Sequence, residues 1–584
     1  MTIRTVLPAL CVSLGFAGAI AQTNPQPNPP APATQSKPAA AKPETPKRPE
    51  MPPDMKAFTA SSTIKDPAKK IEALEKWKKD FPDSQFRSAA DTAILNAMLS
   101  QKPPDAPHIR AFAEATYRGA EPKNRGSVAR QIATSYLNHD LFLKDAERYA
   151  RKSLDSLRLS DYLNEQLASY AKRKQKPPST EELQKRFDEN RAGSVAVLGR
   201  IEVKLGHTAK GQKMLEGVYA TFPKTLDVGA TLGELAAKAG DDSKAMEYLI
   251  PARLSGRLEK SADEALEATY REMHGGSLDG LEAMLDNEYR KRFPNPLQLA
   301  AYQPTEKRSD RVVLAEVFTG SGCPPCVGAD LAFDAAMERY SRKELAVVMY
   351  HQHIPRPDPM TNLDTLARAK SYGVSAVPTY MIDGEKTVGG GPRENTEHVY
   401  DRFDKEIEKD LETPADANLR AEASLAGNTV HVRASVDGVK SNSKDLKVQI
   451  LLVEKEIHYG GENGVRFHSM VVRAVGRDRT AAAAKEDEAT EGFALDPAAG
   501  GSFEQSFDLD AVSKALRAHL DDYEAKGHRG EPFTFIEKKD RINRADLAVV
   551  VFVQDDQSKH VLQAAYIDLG QEPAHTVTEA NGQR

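Results

Sequence analysis

Val312-Val313-Leu314-Ala315-Glu316-Val317-Phe318 leads through Cys323-Pro324-Pro325-Cys326 into Asp330-Leu331-Ala332-Phe333-Asp334-Ala335-Ala336-Met337. The first stretch is an apolar run of strand length and the last has helical spacing, so the cysteines fall at a strand-to-helix junction. Only three cysteines occur in 584 residues, and the third, Cys11, lies in a segment expected to be removed. One closely spaced pair at such a junction points to redox chemistry. A Cys-x-x-Cys can also be half of a zinc site, but no second one is present to complete it.

Working outward, the pattern predicts a strand at 312–318, a helix to about 340, a strand at 345–350 and a helix at about 362–372. Gly373-Val374-Ser375-Ala376-Val377-Pro378-Thr379 follows, then short strands at 380–383 and 386–388 joined at Gly384, then a helix from about 394. This βαβ-α-ββα order, with Cys-x-x-Cys and a downstream Val377-Pro378-Thr379, resembles the thioredoxin superfamily. The segment Glu316-Val317-Phe318-Thr319-Gly320, together with Phe467-His468-Ser469-Met470-Val471-Val472-Arg473-Ala474, is similar to bacterial envelope proteins that join such a domain to a C-terminal β-sandwich.

The resemblance implies thiol-disulfide exchange, and the residue types suit it. At a helix N-terminus, Cys323 faces unpaired backbone N–H groups and the positive end of the helix dipole, which stabilise a thiolate. It is the expected, partly exposed nucleophile, and Cys326 one turn in resolves the mixed disulfide. The two prolines occupy the first turn, where a missing N–H costs little. Pro378 matches the family's cis-proline, beside Val377 and Thr379 as rim candidates. Glu316 is the one acid on its strand and the candidate for the family's buried proton relay. Its spacing to Cys323 is one residue longer than in thioredoxin, which reverses its face unless a bulge intervenes. Gly322 stands where many thioredoxins carry Trp, so the usual aromatic substrate platform is in doubt. In the loop His351-Gln352-His353-Ile354-Pro355-Arg356-Pro357-Asp358-Pro359, His351 is a candidate for tuning the thiolate. A Cys₂His₂ metal site is disfavoured there, because thiols used for exchange cannot also be tied up by metal.

Residues 1–21 read as a signal peptide, with Arg4, an apolar core and Ala19-Ile20-Ala21, which implies export to a bacterial periplasm or cell envelope. Residues 22–54, rich in Pro, Ala, Lys and Gln, are an extended spacer. Residues 55–300 read as helix after helix. Leu198-Gly199 recurs as Leu232-Gly233, Gly211 as Ala245 and Leu215 as Leu249, all offset by 34 residues, the tetratricopeptide period. Trp77 is expected in the helical core. The region is either a concave surface for a partner protein or a helical spacer.

Residues 414–571 alternate like strands at 419–425, 429–436, 446–455, 466–474, 502–507, 547–554 and 561–569, with a helix near 512–525, and predict a β-sandwich. His458 and His468 are weak site candidates there. Residues 481–490 read as a mobile loop and 572–584 as a tail. The expected fold class is thus multidomain: an all-α helical repeat region, an α/β thioredoxin-like fold at 301–413, and an all-β sandwich-like domain. A net charge of −5, with acids and bases interspersed, gives no case for nucleic acid.

The expected function is disulfide exchange with envelope proteins, with no cofactor beyond the Cys323–Cys326 couple and its direction unread. With no other cysteine in the mature chain, an external protein partner must recharge the pair. The alternative is a non-enzymatic scaffold with a structural disulfide.

Overall fold

The computed structural model describes residues 52–570 apart from 224, 226, 257, 478–491 and 529–531. The expected signal peptide, nearly all of the spacer, the loop at 481–490 and the tail lie outside the described residues.

An N-terminal helical region precedes a mixed, sheet-rich region. The first runs from α1 (Pro53–Ser62) to α13 (Leu281–Arg292). Local chemistry starts its helices: α2 (Pro67–Asp80) has proline in its first turn, and the Asp66 carboxylate accepts from Lys69 N at 2.8 Å. Trp77 on this helix is buried against the rings of Phe58 and Phe81.

The 34-residue offset is a repeated contact. On α8 (Thr180–Lys204), a Cβ at Gly199 would lie 3.0 Å from Leu215 of α9 (Thr208–Thr221). On α10 (Val228–Lys238), a Cβ at Gly233 would lie 2.4 Å from Leu249 of α11 (Asp242–Leu254). In both pairs the missing side chain lets a leucine of the next helix seat against the backbone.

The second region opens with β1 (Val313–Thr319), α14 (Cys326–Arg339), β2 (Leu345–His351), α15 (Leu363–Ser371), β3 (Thr379–Ile382), β4 (Glu385–Val388) and α16 (Thr396–Leu411). It continues with β5 (Asn418–Ala426), β6 (Thr429–Asp437), β7 (Leu446–His458), β8 (Phe467–Val475), β9 (Phe493–Ala494), β10 (Gly501–Asp508), α17 (Leu509–Lys526), β11 (Leu547–Asp555) and β12 (Val561–Asp568). β1 and β2 are parallel, as are β2 and β8. A crossover helix, α14, joins the first of these pairs.

The separate sandwich expected over 414–571 is not what forms. β7, β8, β11 and β12 join β1–β4 in one sheet of order β12-β11-β7-β8-β2-β1-β3-β4, with β9 on β7. Among the described residues, β10-β6-β5 make a second sheet. It packs over β7 and β11 through Val430, Val432, Ile450, Leu452, Val549 and Val551. The large sheet also curls. Val561 N at the start of β12 donates to Asp383 O just past β3 at 3.1 Å, and Leu314, Phe318 and Val348 share a core with Leu451, Val472 and Phe552. Arg311, buried ahead of β1, bonds Asp383, Val561 O and Asp416 and pins this closure. Strands from both sides of the expected boundary at 413 therefore share one sheet.

The two regions touch through side chains. Arg466, buried just before β8, pairs with Glu282 and Asp286 of α13, and Phe467 packs edge-on against Tyr289. Among the described residues, no helix is long and apolar enough to cross a membrane.

Candidate active site

Cys323 and Cys326 form a disulfide with Cα atoms 5.3 Å apart. Cys326 is the first residue of α14. The turn ahead of it is held by Cys323 N donating to Gly320 O at 3.0 Å and Cys326 N to Cys323 O at 3.1 Å. The Val377–Pro378 peptide is cis, and the Val377 carbonyl oxygen lies 3.7 Å from Cys323 Sγ. Gly389-Gly390-Gly391 closes the other side: Gly391 N donates to Pro325 O at 2.7 Å. A Cβ at Gly390 would fall 2.2 Å from Pro325 O and 2.4 Å from the Pro378 ring. Only glycine permits that approach.

The expectation that Cys323 is partly exposed is not met. Cys323 is 1 % exposed and Cys326 0 %, while Pro324 and Pro325 between them are exposed. The cover comes from segments remote in sequence. A Cβ at Gly322 would lie 2.9 Å from Arg356 Cβ, so Arg356 takes the space an aromatic side chain at 322 would need. Asn463 N donates to Ser321 O at 3.0 Å, and its Nδ2 reaches Gly320 O at 3.3 Å and Cys323 O at 3.4 Å. An ion pair of 3.0 Å between Arg356 and Glu462 ties the two covers together.

Glu316 does not belong to this site. β1 pairs β2 in unbroken register from Val313↔Leu345 to Thr319↔His351, so no bulge restores its face. Val313, Ala315 and Val317 face α14, while Leu314 and Phe318 face the curled half of the sheet. Glu316 points with the latter. It accepts from Arg368 Nε at 2.8 Å, from Tyr350 OH at 2.9 Å and from Tyr372 OH, and Arg368 also donates to Gln554 of β11 at 2.7 Å. Burial, then the Glu316 charge, raises the Tyr350 hydroxyl well above its ordinary range. This is a buried ionic joint between β1, α15 and β11.

The acid on the cysteine side is Asp330, one helical turn beyond Cys326. It is buried, accepts from Thr319 Oγ1 at 2.7 Å, and has its pKa pushed up to about 6 by that burial. Asp334, a further turn along, is raised to about 7 for the same reason. His351 is fully buried with Nδ1 2.9 Å from Asp358 Oδ2, and its Nε2 has no hydrogen-bond partner. Burial alone would raise the Asp358 carboxyl, but the His351 ring and the amides of Ser321 and Met360 hold it well below the usual carboxylate range. His351 thus fixes, through Asp358, the backbone two residues before Cys323.

Thr379 points inward, its hydroxyl on Ala376 O at 2.8 Å, and Val377 is half-buried beside the disulfide. His353 turns away to His519, Nε2 to Nε2 at 3.2 Å. His468 is buried against the His351 ring, and burial lowers its pKa to about 3. His458 bridges Asp286 and Glu456. Among the described residues, no three His, Cys, Asp or Glu side chains gather as a metal-binding group.

Sequence reading missed Asp330, Arg356, Asp358, Asn463 and the Gly389–Gly391 run. Two signals were present: three successive glycines after a strand mark close backbone approach, and Asp330 stands four residues from Cys326. No family model matches the chain, and no curated protein matches it. Among solved structures, HBP35 of Porphyromonas gingivalis is similar over 47 % of this chain and 81 % of that one, at 17 % identity and a TM-score of 0.30. A likeness that slight assigns neither a fold nor an activity.

Proposed function

We propose that the chain is an exported thiol-disulfide oxidoreductase of the thioredoxin superfamily, acting on envelope proteins, with tetratricopeptide-like repeats as its partner-binding region. The observation that carries this reading is the Cys323–Cys326 disulfide at the first turn of α14, beside the cis Val377–Pro378 peptide and its carbonyl. In the reducing direction the Cys323 thiolate attacks a partner disulfide and releases one partner thiolate, which takes a proton. Cys326, losing its own proton, then attacks Cys323 Sγ, the Cys323–Cys326 bond forms, and the second partner sulfur leaves as a thiol. The oxidising direction runs the same steps backwards. An external redox protein restores the starting state in either case.

A second reading has its own support: both sulfurs are covered, which suits a structural disulfide in a scaffold protein. A three-residue spacing closes too small a loop to stabilise much by chain entropy, which weighs against it. Equilibration with glutathione separates the two. An exchange centre titrates with a potential between roughly −270 and −120 mV, whereas a structural disulfide stays oxidised to below about −300 mV. Cys326→Ser is expected to trap mixed disulfides with natural partners, and Cys323→Ser to abolish reduction or oxidation of a model disulfide. Full activity in Cys323→Ser would overturn the reading.

A further inference from the structure

The hairpin turn between β7 and β8, Gly460-Gly461-Glu462-Asn463-Gly464, is one chain thick and lies between the disulfide turn and the helical region. On the inner side, a Cβ at Gly461 would fall 2.7 Å from Ser321 O. Asn463 bonds the carbonyls of Gly320, Ser321 and Cys323, and Val465 packs on Val327 and Leu331 of α14. On the outer side, the backbone touches the end of α11. A Cβ at Gly256 (φ +106°) would lie 2.6 Å from Gly464 N and 2.8 Å from Glu462 O. A Cβ at Gly464 (φ +84°) would lie 3.3 Å from Ser255 O. Arg253 stands over Gly460, whose Cβ would come within 3.3 Å of its guanidinium. Glycines occupy 256, 461 and 464 because backbone meets backbone on both faces.

From this sandwich we infer that 460–464 is a strap that shuts Cys323 off from partner proteins, and that the helical region holds it shut. The inference rests on the oxidoreductase reading above and adds a control to the same site. A partner sulfur must reach the turn that carries Cys323, where Asn463 bonds the Cys323 carbonyl, Arg356 lies against Gly322, and Arg356 pairs with Glu462. The strap cannot lift without parting from Leu254, Ser255 and Gly256. Any protein that engages the helical region and shifts the end of α11 therefore frees the thiols. The mechanism is a population shift between shut and open strap, and a partner opens it only by binding the open form better.

The strap alters access, so it alters rates in both directions and leaves the redox equilibrium in place. The test uses the full chain with two substitutions on opposite faces of the strap. Gly256→Gln places a side chain where Gly464 N and Glu462 O lie, and Asn463→Ala removes the bonds to Gly320 O and Cys323 O. Each protein is reduced, and Cys323 is alkylated with N-ethylmaleimide and with a 5-kDa polyethylene-glycol maleimide, which share one reactive group and differ in bulk. The shut strap predicts a wild-type protein that reacts far more slowly with the bulky reagent than with the small one. Both variants should raise the bulky-reagent rate by about tenfold or more, the effect of losing a hydrogen bond or two from the shut form, with an unchanged glutathione equilibrium. Equal bulky-reagent rates in wild type and both variants would overturn the strap. If circular dichroism shows Gly256→Gln to be unfolded, Asn463→Ala decides alone. A wild-type disulfide that never equilibrates with glutathione would instead sink the oxidoreductase reading, while the alkylation rates would still report on the strap.

Discussion

Asp330 shows how far a single side chain depends on its surroundings. Its carboxyl faces Thr319 of β1 and feels the His351 ring and the Asp358 carboxylate, yet burial dominates and lifts its pKa from 3.8 to about 6. The folded protein then keeps a proton that the unfolded chain has already lost. Its contribution to stability falls as pH climbs from about 4 to about 6 and is level above that, by the linkage of proton uptake to unfolding. Asp330→Asn keeps the acceptor for Thr319 and removes the titration. It is expected to be more stable than wild type by about 3 kcal/mol at pH 8 and to show little gain at pH 4, read as urea midpoints at the two values. A gain of the same size at both would exclude a titrating Asp330 as its source. Glu316 makes the complementary point. That it would be buried was legible from its place in an apolar strand. Which face it took depended on register, and the unbroken β1–β2 pairing sent it to Arg368.

Among the elements, the helix pairs were the most legible, because a repeat needs the same small and large residues at the same offset to bury the same contact. Gly233 shows how tight that contact is. Alanine there would gain about 1 kcal/mol in helix propensity. It would also drive a methyl to 2.4 Å from Leu249, and overpacking of this kind costs about 1–3 kcal/mol. Gly233→Ala is therefore expected to lower the thermal midpoint of the helical region by a few degrees. Combining it with Leu249→Ala should cost less than the sum of the single changes, since one clash is being relieved. Additive losses would place the two residues out of contact. Apart from the two-residue β9, which sequence reading missed, the strands from β5 to β12 were legible as strands through their alternation, with boundaries within a residue or three of those observed. Their partners were not, because alternation marks a face to be buried and carries no record of which strand lies alongside.

At the scale of the molecule, that ambiguity decided the architecture. Strands from both sides of residue 413 share one sheet, and β8 lies on the edge of β2. A fragment of 301–413 alone would expose that edge together with Leu314, Phe318 and Val348. Exposed edges and apolar faces of this kind aggregate. The fragment is expected to lack a cooperative thermal transition and to bind a hydrophobic dye, whereas 296–570 should unfold cooperatively. A soluble, cooperative 301–413 fragment would show that the shared sheet is dispensable.

Short-range order in the chain was enough to place the helices, the strands, the Cys323–Cys326 turn at the start of α14 and the glycine–leucine contacts of the repeats. These depend on neighbours within a few residues or on a fixed period. The tertiary structure alone decided that the predicted sandwich shares the sheet of β1–β4, that Glu316 faces away from the cysteines, and that 460–464 covers the disulfide. Each of those outcomes joins residues more than a hundred positions apart or hangs on a one-residue register. Such contacts form only where large apolar faces must be covered together, and a linear pattern does not say which faces will meet.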